Sequence, residues 1–138
     1  MKKLMFVSML LSALLLPAMT LAERRTSEKG SPAIEFAQTS HDFGNVKAAD
    51  GFLTHEFFFK NAGTAPLTII TVSAPCGCTQ PEFDPKPVAP GDSSEITLRF
   101  DPSDFSGEFT KTALVRTNVK GRAGRVTLTI SGVVIPKK

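Results

Sequence analysis

Cys76-Gly77-Cys78 holds the only two thiols of this chain, and His41 and His55 are its only imidazoles. A dithiol can close to a disulfide, exchange with other thiols, or offer two soft sulfur ligands to a metal. A bridge between residues two apart needs Cα atoms within about 4.4–6.8 Å, at or inside the reach of an extended chain. Gly77 can supply the turn. So small a loop adds little to fold stability, and a bridge there is expected to be labile. The soft-metal alternative is copper(I) or zinc. Zinc takes four ligands, and His41 and His55 are the residues left to complete a Cys76, Cys78, His41, His55 set. The third alternative is two small residues filling a loop beside Pro75. The spacing is not the two-residue gap of thioredoxin-like motifs, and no βαβ pattern surrounds it.

The histidines also have plain structural readings. His41 reads as a turn residue bonding backbone before Phe43, and His55 as a satisfied residue at one end of an inward strand face. A lone imidazole without matching partners is a weak ligand signal. The chain lacks a Gly-x-Ser-x-Gly elbow, a Gly-Lys-Ser/Thr phosphate loop and a His-Glu-x-x-His pair, the patterns that would mark hydrolase or nucleotide chemistry. The expectation is a non-enzyme.

The elements that position these residues are strands. Leu53, His55, Phe57 and Phe59 fall on one face of an alternating run, and Thr54, Glu56, Phe58 and Lys60 on the other. Phe58 therefore points outward and is a candidate contact residue. Leu67 to Val72 reads as a buried strand, and Ile96, Leu98 and Phe100 alternate with polar neighbours. Phe109 to Asn118 and the Val126-Leu128-Ile130 alternation give two more strands. Pro81, Pro85, Pro87 and Pro90 confine their segment to an edge or a long loop. Asn61 to Pro66 and Pro90-Gly91-Asp92 are turns, with Gly44, Gly63 and Gly91 as turn formers. Six or seven short strands punctuated this way predict an all-β, immunoglobulin-like two-sheet sandwich. Its predicted core is Phe36, Phe43, Phe57, Phe59, Ile69, Ile96, Leu98, Phe100, Val115, Leu128 and Ile130. Tyr and Trp are absent, and the Phe rings, which carry no polar handle, are mainly core material.

Residues 1–22 have a basic start, an apolar middle and Ala22 at the end, the layout of a secretory signal cut after Ala22. The apolar run is short for a spanning helix and Pro17 interrupts it, so no membrane span is expected after cleavage. Residues 23–33 read as a flexible polar leader, and 34–136 as the folded domain. Removing Lys2 and Lys3 leaves 14 basic against 13 acidic side chains, and the net charge falls from +3 to +1. That near balance argues against nucleic acid as a partner. The cluster from Lys120 to Arg125 reads as a solvated hairpin tip.

The runs His41-Asp42-Phe43-Gly44-Asn45-Val46, His55-x-Phe57-x-Phe59-x-Asn61-x-Gly63 and Pro66-Leu67-x-Ile69 resemble the bacterial domain-of-unknown-function family 1573. Cys76-Gly77-Cys78-Thr79, Pro90-Gly91, Phe100-Asp101 and Lys111-Thr112 continue the pattern over nearly all of 34–136. Ala48-Ala49-Asp50-Gly51 departs from it at a turn. The family is similar to immunoglobulin-like domains of ciliary and centrosomal proteins and to major sperm protein domains. The resemblance implies an immunoglobulin-like sandwich, export and no assigned activity. The expected function is a periplasmic or secreted module that binds an envelope protein or other macromolecule. The alternative is a thiol-based redox or soft-metal site at Cys76 and Cys78.

Overall fold

The computed structural model describes residues 30–136. The expected signal and most of the expected leader lie outside those residues. The described residues form eight strands: β1 Ile34–Phe36, β2 Ser40–Lys47, β3 Leu53–Asn61, β4 Ile69–Ser73, β5 Thr79–Phe83, β6 Ser93–Phe100, β7 Gly107–Thr117 and β8 Arg125–Ile135. They build two four-stranded sheets in the orders β1-β3-β6-β5 and β2-β8-β7-β4. The first is the A-B-E-D order of a constant-type immunoglobulin sheet, and the second is its G-F-C sheet with an extra edge strand.

That extra strand accounts for eight strands where the sequence suggests six or seven. The N-terminal run is split between sheets. β1 pairs antiparallel with β3, and β2 then pairs parallel with β8. The crossing is carried by Ala37 N–H donating to Phe58 O on one sheet and Thr129 N–H donating to Thr39 O on the other. β2 is bulged between Asp42 and Asn45. There Gly44 has φ 67°, a region costly for other residues, and its N–H donates to Asp42 Oδ1.

Alternation sets the core. Phe57 stands opposite Ile96 and Leu53 opposite Phe100 across β3–β6. Ala113 stands opposite Leu128 and Val115 opposite Val126 across β7–β8. Phe100 and Phe109 stack at 4.6 Å between the sheets. All the predicted core residues are buried except Phe36 and Phe43, which are partly buried, because β1 and β2 are edge strands open on one side. Each fully buried large apolar side chain contributes roughly 1.5–3 kcal/mol.

Two expectations need correcting. The 67–72 run is not one buried strand: Leu67 makes an isolated bridge to Val88, and Ile70 is 56% exposed at a bulge on the edge strand β4. Residues 30–33, expected in the leader, dock on the 61–64 turn: Thr64 N–H donates to Ser31 O and Ala62 N–H to Ala33 O. The proline-rich segment does form an edge strand, β5, with Pro81 inside it.

Candidate functional site

Cys76 and Cys78 are joined by a disulfide with Cα atoms 5.2 Å apart. The bridge sits in the connection from β4 to β5, which carries the chain from one sheet to the other. Backbone bonds pin it from both sides: Thr79 N–H donates to Cys76 O, and Asp101 N–H donates to Cys78 O. Cys78 N–H donates to Cys76 Sγ at 3.2 Å, and Thr79 Oγ1 lies 3.8 Å from Cys78 Sγ. Both cysteines are half-buried and Gly77 is exposed, with open space where a Cβ would stand. Gly77 closes the loop without a positive φ, so its left-handed freedom is not what the bridge uses.

His41 and His55 come together, one from each sheet. Their rings stack at 3.7 Å, 8° from parallel. Phe43 meets the edge of His41 at 4.6 Å, and Phe57 meets His55 at 4.7 Å. His41 is therefore a strand residue within an aromatic stack, and the turn role expected of it belongs to Asp42. Burial and the charge of His41 hold His55 below its ordinary value, against an opposing pull from Glu56.

These two pairs do not converge. His41 lies on β2, one edge of its sheet, whereas the cysteine loop leaves β4, the opposite edge. Among the described residues, no group of three or more His, Cys, Asp or Glu is placed to hold a metal ion. The Cys76, Cys78, His41, His55 set is split across the sandwich, and both sulfurs are already spent on each other.

Phe58 points outward at 53% exposure. It stands opposite Glu95, on a face that also carries Glu56, Lys60 and Arg99. The outer face of the other sheet differs in kind. Thr110 faces Ser131, Thr112 faces Thr129 and Leu114 faces Thr127, while the alternate residues Phe109, Ala113, Leu128 and Ile130 turn into the core. Charge there is confined to the margins, at Asp42, Lys47, Glu108, Arg116 and Arg125. Sequence reasoning missed this face, although the Thr-x-Thr spacings at 110–112 and 127–129 were available to find it.

A family model described as "Protein of unknown function (DUF1573)" matches residues 34–134. Among curated proteins, none matches the sequence. A protein of unknown function from Porphyromonas gingivalis W83 is similar in fold, with 18% identity and TM-score 0.63, over 74% of this chain and 46% of that one. A secreted serine protease, VesC from Vibrio cholerae, is similar at 14% identity and TM-score 0.56, over 74% of this chain but only 23% of the protease. The ASH/PapD-like domain 7 of human CEP192 aligns at 12% identity and TM-score 0.62, over 78% of this chain and 89% of that one. The chain thus spans less than half of the first two, and what all three share with it is the fold. No helix among the described residues is long and apolar enough to cross a membrane.

Proposed function

The chain belongs to the DUF1573 family of proteins of unknown function, and we propose that it is an exported, non-enzymatic binding module of the bacterial envelope. The observation that carries this reading is the outer face of β7 and β8. Its hydroxyl-lined centre, flanked by the exposed aliphatics Ile70 and Leu114, is poor in charge, and the cores of protein interfaces are likewise depleted of charged residues. The partner is an envelope protein seated across Thr112 and Thr129. Threonine hydroxyls donate and accept hydrogen bonds at little cost in side-chain freedom.

The test is capture from envelope extract. Thr112→Glu and Thr129→Glu put charge at the centre of the face without touching the buried side, and a discrete protein recovered by the unaltered chain should be lost. Phe58→Ser reports on the opposite face. Loss with Phe58→Ser alone moves the contact there and overturns the surface assignment; equal recovery by all three variants discards it.

One hydrogen bond favours a second reading, thiol–disulfide exchange at Cys76–Cys78. The Cys78 N–H already points at Cys76 Sγ, so a thiolate formed on Cys76 meets a donor in place, which makes Cys76 the better leaving group. An incoming thiolate attacks Cys78 Sγ, a mixed disulfide forms there, and the electron pair of the broken bond leaves on Cys76. A second thiolate of the reductant then attacks its own sulfur in the mixed disulfide and releases Cys78. One dithiol is oxidised to a disulfide as the bridge is reduced to a dithiol. The opened pair would also be two soft ligands for copper or zinc. Peptide mapping after brief exposure to reduced glutathione should find the adduct on Cys78. A bridge that stays closed, or an adduct on Cys76, contradicts this reading.

A further inference from the structure

Arg116 and Arg125 stand directly opposite each other in the β7–β8 ladder. Like charges so placed repel and destabilise a hairpin. Nothing in the local sequence offsets them, because no Asp or Glu follows Glu108. The turn between the two strands adds Lys120 and Arg122. Arg116, Arg122 and Arg125 line one cavity of about 420 Å³, with Thr117 and Val119 in its wall.

The turn that carries these cations is rigidly built. Thr117 Oγ1 donates to Gly124 O and accepts from Val119 N–H. A Cβ on Gly124 would run into Val119 O, so the two arms meet more closely than any other residue allows. Asn118 fastens the turn to the segment before β4: its Nδ2 donates to Pro66 O, its Oδ1 accepts from Thr68 N–H, and its N–H donates to Thr68 O. The expectation of a solvated hairpin tip accounts for the exposure of the cations, but not for three arginines lining one cavity.

We infer that this cavity is a phosphate-binding site. Guanidinium groups match phosphate oxygens in forked pairs, and a phosphate group brings roughly −1.5 to −2 charge and three strong acceptors. A single carboxylate cannot offset three arginines to the same degree. A phosphate bound there offsets the repulsion between Arg116 and Arg125. The site adjoins the proposed protein-binding face but does not depend on it, nor on the redox reading.

The experiment is thermal unfolding and calorimetric titration of the purified protein with inorganic phosphate, ionic strength held constant with chloride. The unfolding midpoint should rise with phosphate and saturate. Arg122→Gln and Arg125→Gln should each weaken binding about tenfold or more. In chloride alone Arg125→Gln should raise the midpoint, because the repulsion is gone, while the phosphate response flattens. Lys60→Gln, on the other sheet, should change neither. Vesicles of phosphatidic acid in phosphatidylcholine separate the sources: competition by inorganic phosphate marks a lipid headgroup as a ligand, and phosphate binding without vesicle binding marks a soluble or glycan-borne phosphate. The inference is overturned if phosphate does no more than chloride, if Arg125→Gln keeps the full response, or if vesicles bind and inorganic phosphate does not.

Discussion

His41 and His55 stack face to face at 3.7 Å, each from a different sheet, so the two faces of the sandwich meet there through two groups that can both carry a proton. Protonating His55 puts a charge into a partly desolvated gap, and the stacked His41 ring disfavours that charge further. Its folded value is therefore lowered from the ordinary 6.5 by burial and by His41. The unfolded chain then binds more protons than the folded one in the window just below 6.5, and stability rises with pH through that window. The expected outcome is a full contribution above about pH 6.5 that is lost as pH falls through the folded value. His55→Phe keeps a ring in the stack and cannot titrate. Its unfolding midpoint should change less between pH 7.5 and 5 than that of the unaltered protein, and equal slopes would exclude His55 as the source.

Asn61 is fully buried, and its side chain makes four hydrogen bonds. Its Oδ1 accepts from Ala33 N–H and Gly63 N–H, and its Nδ2 donates to Ala65 O and Val88 O. Asn61→Ala leaves these groups unpaired and should cost about 2–4 kcal/mol in denaturant unfolding. Asn61→Asp has nearly the same shape but sets an acceptor against two carbonyls, and should cost at least as much. An aspartate variant as stable as the parent would contradict the bonding pattern.

Phe57 is 1% exposed and packs against Ile96 in register and against the His55 ring. Phe57→Ala should cost about 3–5 kcal/mol, a large share of the stability of a domain this size. A loss below about 1 kcal/mol would mean that the ring does not fill the core.

What the sequence made legible follows from strand periodicity. Ile96, Leu98 and Leu128 alternate with polar residues, and a period of two places each on a face. The partner sheet of β2 was not legible, because a parallel pairing with β8 leaves no local signal at residues 40–47. The same long-range pairing brings His41 to His55, so their stack could not be read from either residue alone. Ile70 looked buried because its neighbours are apolar, and a bulge on an edge strand turned it out. The Cys76–Cys78 bridge was foreseeable as an option from spacing. The bond from Cys78 N–H to Cys76 Sγ needs the actual loop.

Export makes its own prediction. The mature protein should begin at Glu23 and contain no Met, since Met1, Met5, Met9 and Met19 all lie before the cut. Intact-mass and N-terminal peptide analysis of the exported product measures this directly. A mature chain that retains Met19 contradicts cleavage after Ala22.

The binding account is tested most directly by a photo-crosslinking residue placed at single positions of the exported protein in intact cells. Thr112, at the centre of the β7–β8 face, should give one discrete adduct with an envelope protein. Thr97, outward on β6 of the other sheet, should give none. Adducts from Thr97 alone, or from neither position, would contradict the claim that this face is where the module binds.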